Sequence, residues 1–335
     1  MKILVIRFSS IGDIVLASPV FRCLKTQLEN AEVHFLTKES FKLVTIANPY
    51  IDKFFYLNDN LEDVILQLQA ENYDYVIDLH KNFRSIKVKR ALKKKAYTID
   101  KLSVEKFILT NLHINFMPKK HITVRSLETV KKLGVHDDGK GLDYFIPEKD
   151  TITQDDLPTS HILGFIGLVI GASYNTKKLP LHKLQELCKK IEYPIILLGG
   201  KEDTVIGDEI ASVDPIKIYN SCGKFNLNES ADIVRKAKLI ISHDTGLQYI
   251  ACAFNKNVLA IWGGTSPKLA VEPYYGSRFL STQTQLPYEN IVVPKLWCQP
   301  CSKYGKDKCP LGHFKCMEKQ DIDRIVMKVR ERLHL

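Results

Sequence analysis

The chain has 335 residues, of which 45% are hydrophobic, and a formal net charge of +10 at neutral pH. These values indicate a folded protein with room for two domains, each with its own core, and they exclude a disordered chain. The positive charge favours an anionic partner, whether nucleic acid, phosphorylated glycolipid or a membrane surface. No apolar run approaches the roughly 20 residues of a spanning helix and no signal peptide is recognisable, so we expect a cytoplasmic protein.

The first half of the chain alternates short apolar strands with helices, a pattern typical of a parallel sheet covered by helices. Strands are predicted at 2–8, 31–37, 53–57, 75–79 and 96–99, and helices at 14–28, 39–47, 60–71 and 121–133, with 101–117 helical or mixed. The polar segment 149–160, which contains Pro158, is the best candidate for a linker.

A second alternating series follows the linker. Strands are predicted at 162–170, 194–198, 216–219, 239–242 and 258–262, and helices at 180–190, 205–211, 228–237 and 321–333. The sequence therefore predicts an α/β protein with two Rossmann-like domains, at 1–155 and 156–320, whose parallel sheets face a common cleft, followed by a C-terminal helix at 321–335.

In the first half, Asp13 follows Gly12 at the start of a helix, at the predicted carboxyl edge of the sheet. A carboxylate there is either a charge that the helix dipole favours or a general base. Neither G-x-G-x-x-G nor G-x-x-x-x-G-K-[ST] occurs, so dinucleotide and P-loop interpretations lose their main support and no cofactor is predicted.

Eight basic residues and no acidic one lie between Lys81 and Lys95. They are Lys81, Arg84, Lys87, Lys89, Arg90, Lys93, Lys94 and Lys95. A solvated helix face is the ordinary explanation, but such faces usually mix charges, and we interpret this basic run as an anion-facing surface. Only Phe83 is interleaved as an aromatic residue, which argues against nucleic acid as the partner.

In the second half, an apolar strand leads into Ser242 to Gly246 and then into a helix of small residues. Open α/β sheets bind ligands at this edge. Free amides of Thr245, Gly246 and the helix N-terminus attract anions, and Asp244 can hold hydroxyl groups. An ordinary strand-to-helix turn capped by Asp244 is the competing interpretation.

Two further loops follow strands of the same half. The first carries Lys177 and Lys178 before Pro180, where either lysine can meet a diphosphate or remain merely exposed. The second carries Glu202 and Asp203 after two glycines, and this acidic pair can accept hydrogen bonds from a ribose. Together with the Asp244 turn, these loops predict a pocket for a nucleotide sugar.

The eight cysteines fall into two groups. Cys23, Cys188, Cys222 and Cys252 are scattered through apolar surroundings and are predicted to be core residues. Cys298, Cys301, Cys309 and Cys316 are clustered and begin with a C-x-x-C pair, so zinc binding, redox pairing and a reduced structural knuckle all remain open.

Several of these segments, taken in order, resemble glycosyltransferase family 9, the ADP-heptose:lipopolysaccharide heptosyltransferases, over essentially the whole chain. The resemblance rests on residues 7–13, 78–85, 177–180, 198–200, 244–246 and 262–267, and on the late Cys298-Gln299-Pro300-Cys301. It implies a GT-B fold, with the acceptor in the N-terminal domain, the nucleotide sugar in the C-terminal domain, and the last helix packing back toward the N-terminal domain. It also implies an inverting reaction that requires no metal ion.

The resemblance further implies roles for individual residues. Asp13 would deprotonate the acceptor hydroxyl, and Lys177 would neutralise the leaving diphosphate beside the amides of Thr245 and Gly246. Asp244 would hold sugar hydroxyls. The other donor-binding residues are Lys178, Glu202, which would hold the ribose, and Tyr249; the acceptor-binding residues are Ser10, Gly12, Lys81 and Arg84.

The chain departs from the family pattern at Tyr249, where histidine is common, and at Leu179, where tryptophan is common. The leading hypothesis is a heptosyltransferase that uses ADP-heptose, acts on the lipopolysaccharide core, and associates peripherally with the anionic inner membrane through its basic run. The alternatives are a family member with another nucleotide sugar and a non-catalytic protein that binds anionic glycolipid.

Overall fold

The computed structural model describes residues 1–334, which form two compact units. The first unit consists of residues 1–101, 120–145 and 274–281, and the second of residues 102–119, 146–273 and 282–334. Residues 102–119 thus belong to the second unit although they lie in the first half of the chain. Residues 274–281 belong to the first unit although they lie in the second half. The predicted linker 149–160 is tied to the second unit, because the Ile152 amide donates to Asp232 Oδ2.

The first unit is built on five parallel strands: β1 (Lys2–Ile6), β2 (Glu32–Lys38), β3 (Lys53–Leu57), β4 (Tyr75–Asp78) and β5 (Lys95–Thr98). Its helices are α1 (Ile11–Leu16), α2 (Ser18–Gln27), α3 (Leu61–Ala70), α4 (Phe83–Leu92), α6 (Ile122–Glu128) and α11 (Ser277–Leu280), and α5 (Ser103–Asn111) lies in the second unit. The strand order is β3-β2-β1-β4-β5. The central strands β2, β1 and β4 are mostly buried, as expected of a sheet covered on both faces, whereas the edge strand β5 is largely exposed.

The second unit contains six parallel strands: β6 (Ile166–Val169), β7 (Ile195–Leu198), β8 (Ile218–Asn220), β9 (Leu239–His243), β10 (Val258–Ile261) and β11 (Tyr288–Ile291). Its remaining helices are α7 (Leu181–Lys190), α8 (Thr204–Ala211), α9 (Leu227–Lys236), α10 (Gly246–Ala253), α12 (Lys315–Glu318) and α13 (Ile322–Leu333). The order β11-β10-β9-β6-β7-β8 is that of a doubly wound Rossmann sheet. The predicted fold class, two Rossmann-like α/β domains, is confirmed.

Some predicted elements have different bounds. The single helix predicted at 14–28 is broken at Ala17, because Pro19 in the first turn of α2 has no N–H to donate into a continuous helix. The strand predicted from residue 162 begins at Ile166, after Gly164, whose φ of +146° interrupts regular structure. Strand β11 was not predicted, because its sequence, Tyr-Glu-Asn-Ile, is too polar to stand out as a strand.

The last helix, α13, packs in the second unit. Its apolar residues Ile322, Ile325, Val326 and Val329 recur at helical spacing and join the core that α7 and the sheet of this unit form. The apolar face is therefore buried against the second unit, whereas the family resemblance led us to expect packing toward the N-terminal domain. Among residues 1–334, no helix has both the length and the apolar character needed to cross a membrane.

Candidate functional site

The topology of each sheet marks one place where a ligand is expected. In open α/β sheets, ligands bind beyond the carboxyl ends of the two strands at which the winding direction reverses. These strands are β1 and β4 in the first unit and β6 and β9 in the second. Asp13 follows β1, Lys81 follows β4, Lys177 follows β6 and Asp244 follows β9. These four predicted site residues therefore lie at the two switch points.

In the first unit, Arg7 holds the Asp13 carboxylate. Arg7 Nη2 lies 2.5 Å from Asp13 Oδ2, and the same oxygen accepts from Ser10 N at 3.3 Å and from Ser10 Oγ at 3.1 Å. The guanidinium is itself fixed, because Nε donates to Ser9 O at 2.8 Å and Nη1 donates to Leu79 O at 2.5 Å. Arg7 thus spans the switch point from β1 to the end of β4.

The second carboxylate oxygen of Asp13, Oδ1, has no partner among residues 1–334. Burial alone would raise the pKa of Asp13, but Arg7 and the two Ser10 donors outweigh burial and lower it below its usual value. The side chain is 31% exposed. Asp13 is therefore ionised at neutral pH and offers one oxygen that a hydroxyl group can approach. Gly12 is buried in the same turn.

Two further side chains lie near this carboxylate. Burial, followed by the charges of Arg7 and Lys101, lowers the pKa of His80 to about 4, so its ring is neutral at physiological pH. His80 packs edge-on against Phe8, with ring centroids 5.2 Å apart. Burial and the Arg7 charge also lower the pKa of Lys101. Sequence reasoning did not bring these side chains together around Asp13, because His80 and Lys101 are far from Arg7 and Asp13 in the chain.

The buried Asp78 organises the turn after β4. Its Oδ1 accepts from the amides of His80 and Lys81, and its Oδ2 accepts from Ser85 Oγ at 2.9 Å. Lys89 Nζ lies 2.8 Å from Oδ2. Asp78 therefore ties the end of β4 to α4, and one residue of the basic run is used inside the fold.

The rest of the basic run divides in two. Lys87 pairs with Glu62, and Lys94 donates to Asn72 Oδ1 at 2.8 Å. Lys81 and Arg84 are exposed at the beginning of α4, beside the switch point. The structure thus assigns some of these charges to the fold and leaves Lys81 and Arg84 in a position where an anion can reach them, as their predicted acceptor-binding role requires.

In the second unit, Lys177 and Asp244 form an ion pair at the switch point. Lys177 Nζ lies 2.8 Å from Asp244 Oδ2 and 3.0 Å from the Asp244 carbonyl oxygen. The two side chains are only 14% and 11% exposed, so water screens the pair weakly. Helix α10 begins at Gly246, and Thr245 caps it without a side-chain hydrogen bond. The ammonium group and the first amides of α10 therefore lie at the same carboxyl edge of the sheet.

Two hydroxyl groups complete the surroundings of Asp244. Thr265 Oγ1 donates to Asp244 Oδ2 at 2.9 Å. The Tyr249 hydroxyl lies 2.6 Å from Val271 O and 3.2 Å from Asp244 Oδ1, and it donates to one of them at a time. Tyr249 is 4% exposed. The buried hydroxyl of Tyr249 is therefore shared between Val271 O, which is the nearer, and the Asp244 carboxylate.

The loop that carries Lys177 is held by a buried histidine. His243 Nε2 accepts a hydrogen bond from the Leu179 amide at 3.0 Å. Burial, followed by the charges of Lys178 and Lys177, lowers the pKa of His243 to about 3, which keeps Nε2 unprotonated and able to accept. Leu179, one of the departures from the family pattern, is buried in the core beneath this contact. The sequence placed His243 in the polar turn after the strand and gave it no role, because this bond joins residues that are far apart in the chain.

Lys178 has a different partner from Lys177. Its Nζ lies 2.8 Å from Oδ1 of the buried Asp203, whose Oδ2 accepts from the Gly200 amide at 3.0 Å. Lys178 and Asp203 therefore tie the loop after β6 to the loop after β7. Glu202 is exposed beside them. Of the predicted acidic pair, Glu202 remains available to a ligand, whereas Asp203 supports the fold.

The segment that begins with Cys298 packs behind the Lys177 loop. Gln299 Nε2 donates to the carbonyl groups at the end of β10, with Gly263 O the nearest at 2.8 Å. The amide of Lys306 donates to Thr176 Oγ1 at 2.7 Å, and the Thr176 amide returns a bond to Lys306 O. A Cβ at Gly263 would lie 2.3 Å from Thr176 O, so only glycine permits this approach. The cysteine segment therefore fixes the residue before Lys177.

All eight cysteines are free thiols, and the four scattered ones are buried, as predicted. In the late group, Cys298 Sγ lies 3.8 Å from His313 Nε2. Burial and the neighbouring cysteines raise the pKa of Cys316 to about 12. No three of these sulfur atoms lie within 4.8 Å of one another in the described part of the chain. Zinc binding, redox pairing and a reduced structural knuckle all remain open predictions for this late group.

Comparison with known proteins identifies the family of the chain. The family model of glycosyltransferase family 9 (heptosyltransferase) matches residues 63–308. The chain is 28% identical over 291 residues to lipopolysaccharide heptosyltransferase 1 of Campylobacter coli, covering 79% of this chain and 84% of the relative.

Two solved structures share the fold at low sequence identity. The structure of E. coli ADP-heptose LPS heptosyltransferase II matches with a TM-score of 0.73 at 18% sequence identity, and the match covers 99% of this chain and 98% of the E. coli chain. A family 9 glycosyl transferase from Veillonella parvula has a TM-score of 0.70 at 19% identity, with 86% and 85% covered. The family match extends over more than two thirds of the chain and includes the Lys177 and Asp244 loops. The chain therefore belongs to glycosyltransferase family 9 (heptosyltransferase) and is a glycosyltransferase.

Proposed function

We propose that the chain transfers a heptose from ADP-heptose to the inner core of lipopolysaccharide, at a heptose or at the Kdo of lipid A, with inversion and without a required metal ion. The observation that carries the proposal is the Lys177–Asp244 pair beside the first turn of α10. A cation, free amides and a carboxylate at one sheet edge match the diphosphate and the hydroxyl groups of a nucleotide sugar. The relatives, which are lipopolysaccharide heptosyltransferases, support lipopolysaccharide as the acceptor.

On the donor side, the bond between the sugar C1 and the diphosphate oxygen breaks, and negative charge develops on the departing ADP. Lys177 Nζ and the amides of Thr245 and Gly246 stabilise this charge, because they are preorganised in a site that is largely withdrawn from water. Asp244 accepts hydrogen bonds from sugar hydroxyls, while Thr265 and Tyr249 fix its orientation. Lys178 supports the loop and Glu202 accepts from the ribose.

On the acceptor side, a hydroxyl group approaches Oδ1 of Asp13, the oxygen without a protein partner. The hydroxyl oxygen attacks C1 from the face opposite the diphosphate, and this direction of attack inverts the anomeric centre. During the attack the hydroxyl proton passes to Asp13. Arg7 and Ser10 hold the carboxylate through Oδ2. Arg7 and Ser10 hold the pKa of Asp13 below its usual value, so the base is in its ionised form before the acceptor binds.

Lys81 and Arg84 contribute to the acceptor site as cations for the phosphates of a lipid acceptor or of an anionic membrane surface. The reaction then takes place at the cytoplasmic face of the inner membrane, with the protein peripherally attached.

The test is a transfer assay with ADP-heptose and a deacylated lipopolysaccharide acceptor that lacks the heptose to be added. The expected result is a product one heptose heavier, whose new linkage has the anomeric configuration opposite to that of the donor, formed equally well in a metal chelator. Transfer from another nucleotide sugar but not from ADP-heptose would contradict the proposed donor. Binding of the acceptor without transfer from any donor would favour the alternative, a non-catalytic glycolipid-binding protein.

One observation favours testing other nucleotide sugars in parallel. Tyr249 occupies a position where the family commonly has histidine, and it lies within 3.2 Å of Asp244. Because Asp244 is assigned to the sugar hydroxyls, a changed partner alters the geometry in which they are accepted. A panel of nucleotide sugars, compared by the shift in thermal denaturation, ranks the donors directly.

A further inference from the structure

Residues 102–119 carry large apolar side chains on their outer surface. Five of them, in and after α5, are between 49% and 67% exposed: Val104, Phe107, Leu112, Ile114 and Phe116. A surface helix normally buries its apolar face and turns polar residues outward. A contiguous set of exposed aliphatic and aromatic residues of this size usually marks an interaction surface.

A second stretch of the same unit continues this surface. Trp297 is 67% exposed and meets the His113 ring edge-on, with centroids 5.4 Å apart. Lys303 Nζ donates to Ser103 O at 3.3 Å. Tyr304 and Leu311 are also exposed, at 64% and 50%. These contacts join residues 102–119 and 293–319 into one area, which we call the apolar-basic surface.

The charge of this surface is strongly positive. The two stretches contain eight lysines (Lys106, Lys119, Lys295, Lys303, Lys306, Lys308, Lys315 and Lys319) and three acidic residues (Glu105, Asp307 and Glu318). A cavity of about 550 Å³ opens there, lined by Trp297 and Leu311 together with Lys295, Lys315 and Lys319. Apolar side chains and lysines therefore lie side by side at this cavity.

We propose that the apolar-basic surface binds the surface of an anionic lipid bilayer. Phe107, Phe116 and Trp297 enter the boundary between headgroups and acyl chains, and the surrounding lysines contact lipid phosphates. Aromatic residues beside lysines are the composition that interfacial membrane binding requires, since stable attachment combines buried apolar area with attraction to anionic lipids. The inference does not depend on the donor or the acceptor, and it concerns residues outside the basic run of Lys81 to Lys95.

The chemistry of the surface argues against two other occupants. A second copy bound around a two-fold axis would bring two copies of the same positively charged surface together, and like charges repel. Single-stranded nucleic acid stacks on aromatic rings, but Val104, Leu112 and Ile114 are aliphatic and offer no stacking face. An anionic bilayer accepts both the aliphatic side chains and the charge.

The tryptophan content makes the test direct. The protein has two tryptophans; Trp262 is fully buried and donates to Asn290 Oδ1 at 2.8 Å, so only Trp297 can report on a change at the surface. With vesicles of phosphatidylcholine and phosphatidylglycerol, we expect a blue shift of the emission and protection from acrylamide, both reversed by salt. With phosphatidylcholine alone we expect neither.

Variants then locate the contact. Replacing both phenylalanines (Phe107→Ser with Phe116→Ser) is expected to weaken binding to the anionic vesicles by about tenfold or more. The matched control Ile216→Ser removes an apolar residue of the same unit that is 80% exposed, and it is expected to leave vesicle binding unchanged. Transfer to a deacylated, water-soluble acceptor is expected to be the same in the native protein, the double phenylalanine variant and Ile216→Ser. This result separates the inference from the proposed function.

Three results would overturn the inference. The first is equal binding to phosphatidylcholine vesicles. The second is vesicle binding that survives the double phenylalanine variant but is lost in Lys81→Gln with Arg84→Gln, because the membrane contact would then lie on the basic run. The third is a Trp297 shift that follows protein concentration and sedimentation as a dimer without lipid, which would assign the surface to a second copy.

Discussion

Replacing Lys177 with methionine removes the ammonium group from the proposed donor site and leaves a side chain of similar length. The change has two consequences that can be measured separately. The Asp244 carboxylate loses the partner that lies 2.8 Å from Oδ2, and the proposed leaving diphosphate loses a cation. The first consequence affects stability and the second affects the rate of transfer.

The stability cost follows from the burial of the pair. Removing one partner of a buried ion pair costs about 3–5 kcal/mol, and because Asp244 keeps Thr265 as a donor we expect about 2–3 kcal/mol here. That corresponds to a fall in Tm of roughly 5–10 °C for a unit of this size. Loss of one preorganised donor to a developing negative charge lowers kcat by about 10²–10³-fold.

Lys178→Met is the matched control, because Lys178 is the next residue and also pairs with a buried aspartate at 2.8 Å. It is expected to lower Tm to a similar extent and to change kcat much less, since Lys178 ties loops together. In the double variant Lys177→Met with Asp244→Asn, no uncompensated charge remains, so stability is expected to recover while transfer does not. Thermal denaturation and initial-rate kinetics with ADP-heptose measure the two effects.

The reasoning is refuted if Lys177→Met and Lys178→Met reduce kcat equally, since both would then act only through the fold. It is also refuted if the double variant regains transfer together with stability.

Three further predictions concern the supporting residues. Arg7→Gln is expected to raise the pKa of Asp13, because Arg7 holds that pKa below its usual value. The acid limb of the profile of kcat/KM against pH then moves to higher pH. The control Arg84→Gln, which changes an exposed arginine, is expected to leave the acid limb in place. Tyr249→Phe removes a buried hydroxyl whose proton goes to Val271 O or Asp244, so we expect a loss of about 1–2 kcal/mol in the free energy of unfolding, measured by urea denaturation, and a higher KM for the donor; an unchanged donor KM would separate Tyr249 from the sugar site. Gln299→Leu leaves the carbonyl groups behind Thr176 without their hydrogen-bond donor, and we expect the KM of the donor to rise more than that of the acceptor. Bisubstrate kinetics measure both values, and an equal rise in the two would contradict this prediction.

The sequence predicted residues that lie directly after strands. Asp13, Lys177 and Asp244 each follow a buried apolar run, and the carboxyl ends of parallel strands meet at one edge, so chain order alone brings such residues near a ligand. The strands themselves were recognisable because a sheet covered on both faces consists of continuous apolar runs. The edge strand β11 was not predicted, because it is polar and forms no continuous apolar run.

Pairings between distant residues were not predictable in the same way. Arg7 was part of a recognised motif, but its bonds to Asp13 and Leu79 depend on the parallel pairing of β1 with β4. His243 holds the Leu179 amide from within a strand. Lys177 and Lys178 are neighbours in sequence, and only the fold gives them different partners. The charge pattern of the sequence identifies both lysines as candidate ligand-binding residues. Which buried carboxylate each lysine contacts then distinguishes their roles.

The most direct test of the central claim is the rate of a single turnover with Asp13→Asn, using ADP-heptose and a deacylated lipopolysaccharide acceptor, with the Kd for the donor measured separately. Asparagine keeps the shape of the side chain and cannot take the proton. The account predicts a rate lower by about 10²–10⁴-fold with an unchanged Kd for ADP-heptose. A rate equal to that of the native chain would show that Asp13 is not the base and would contradict the account.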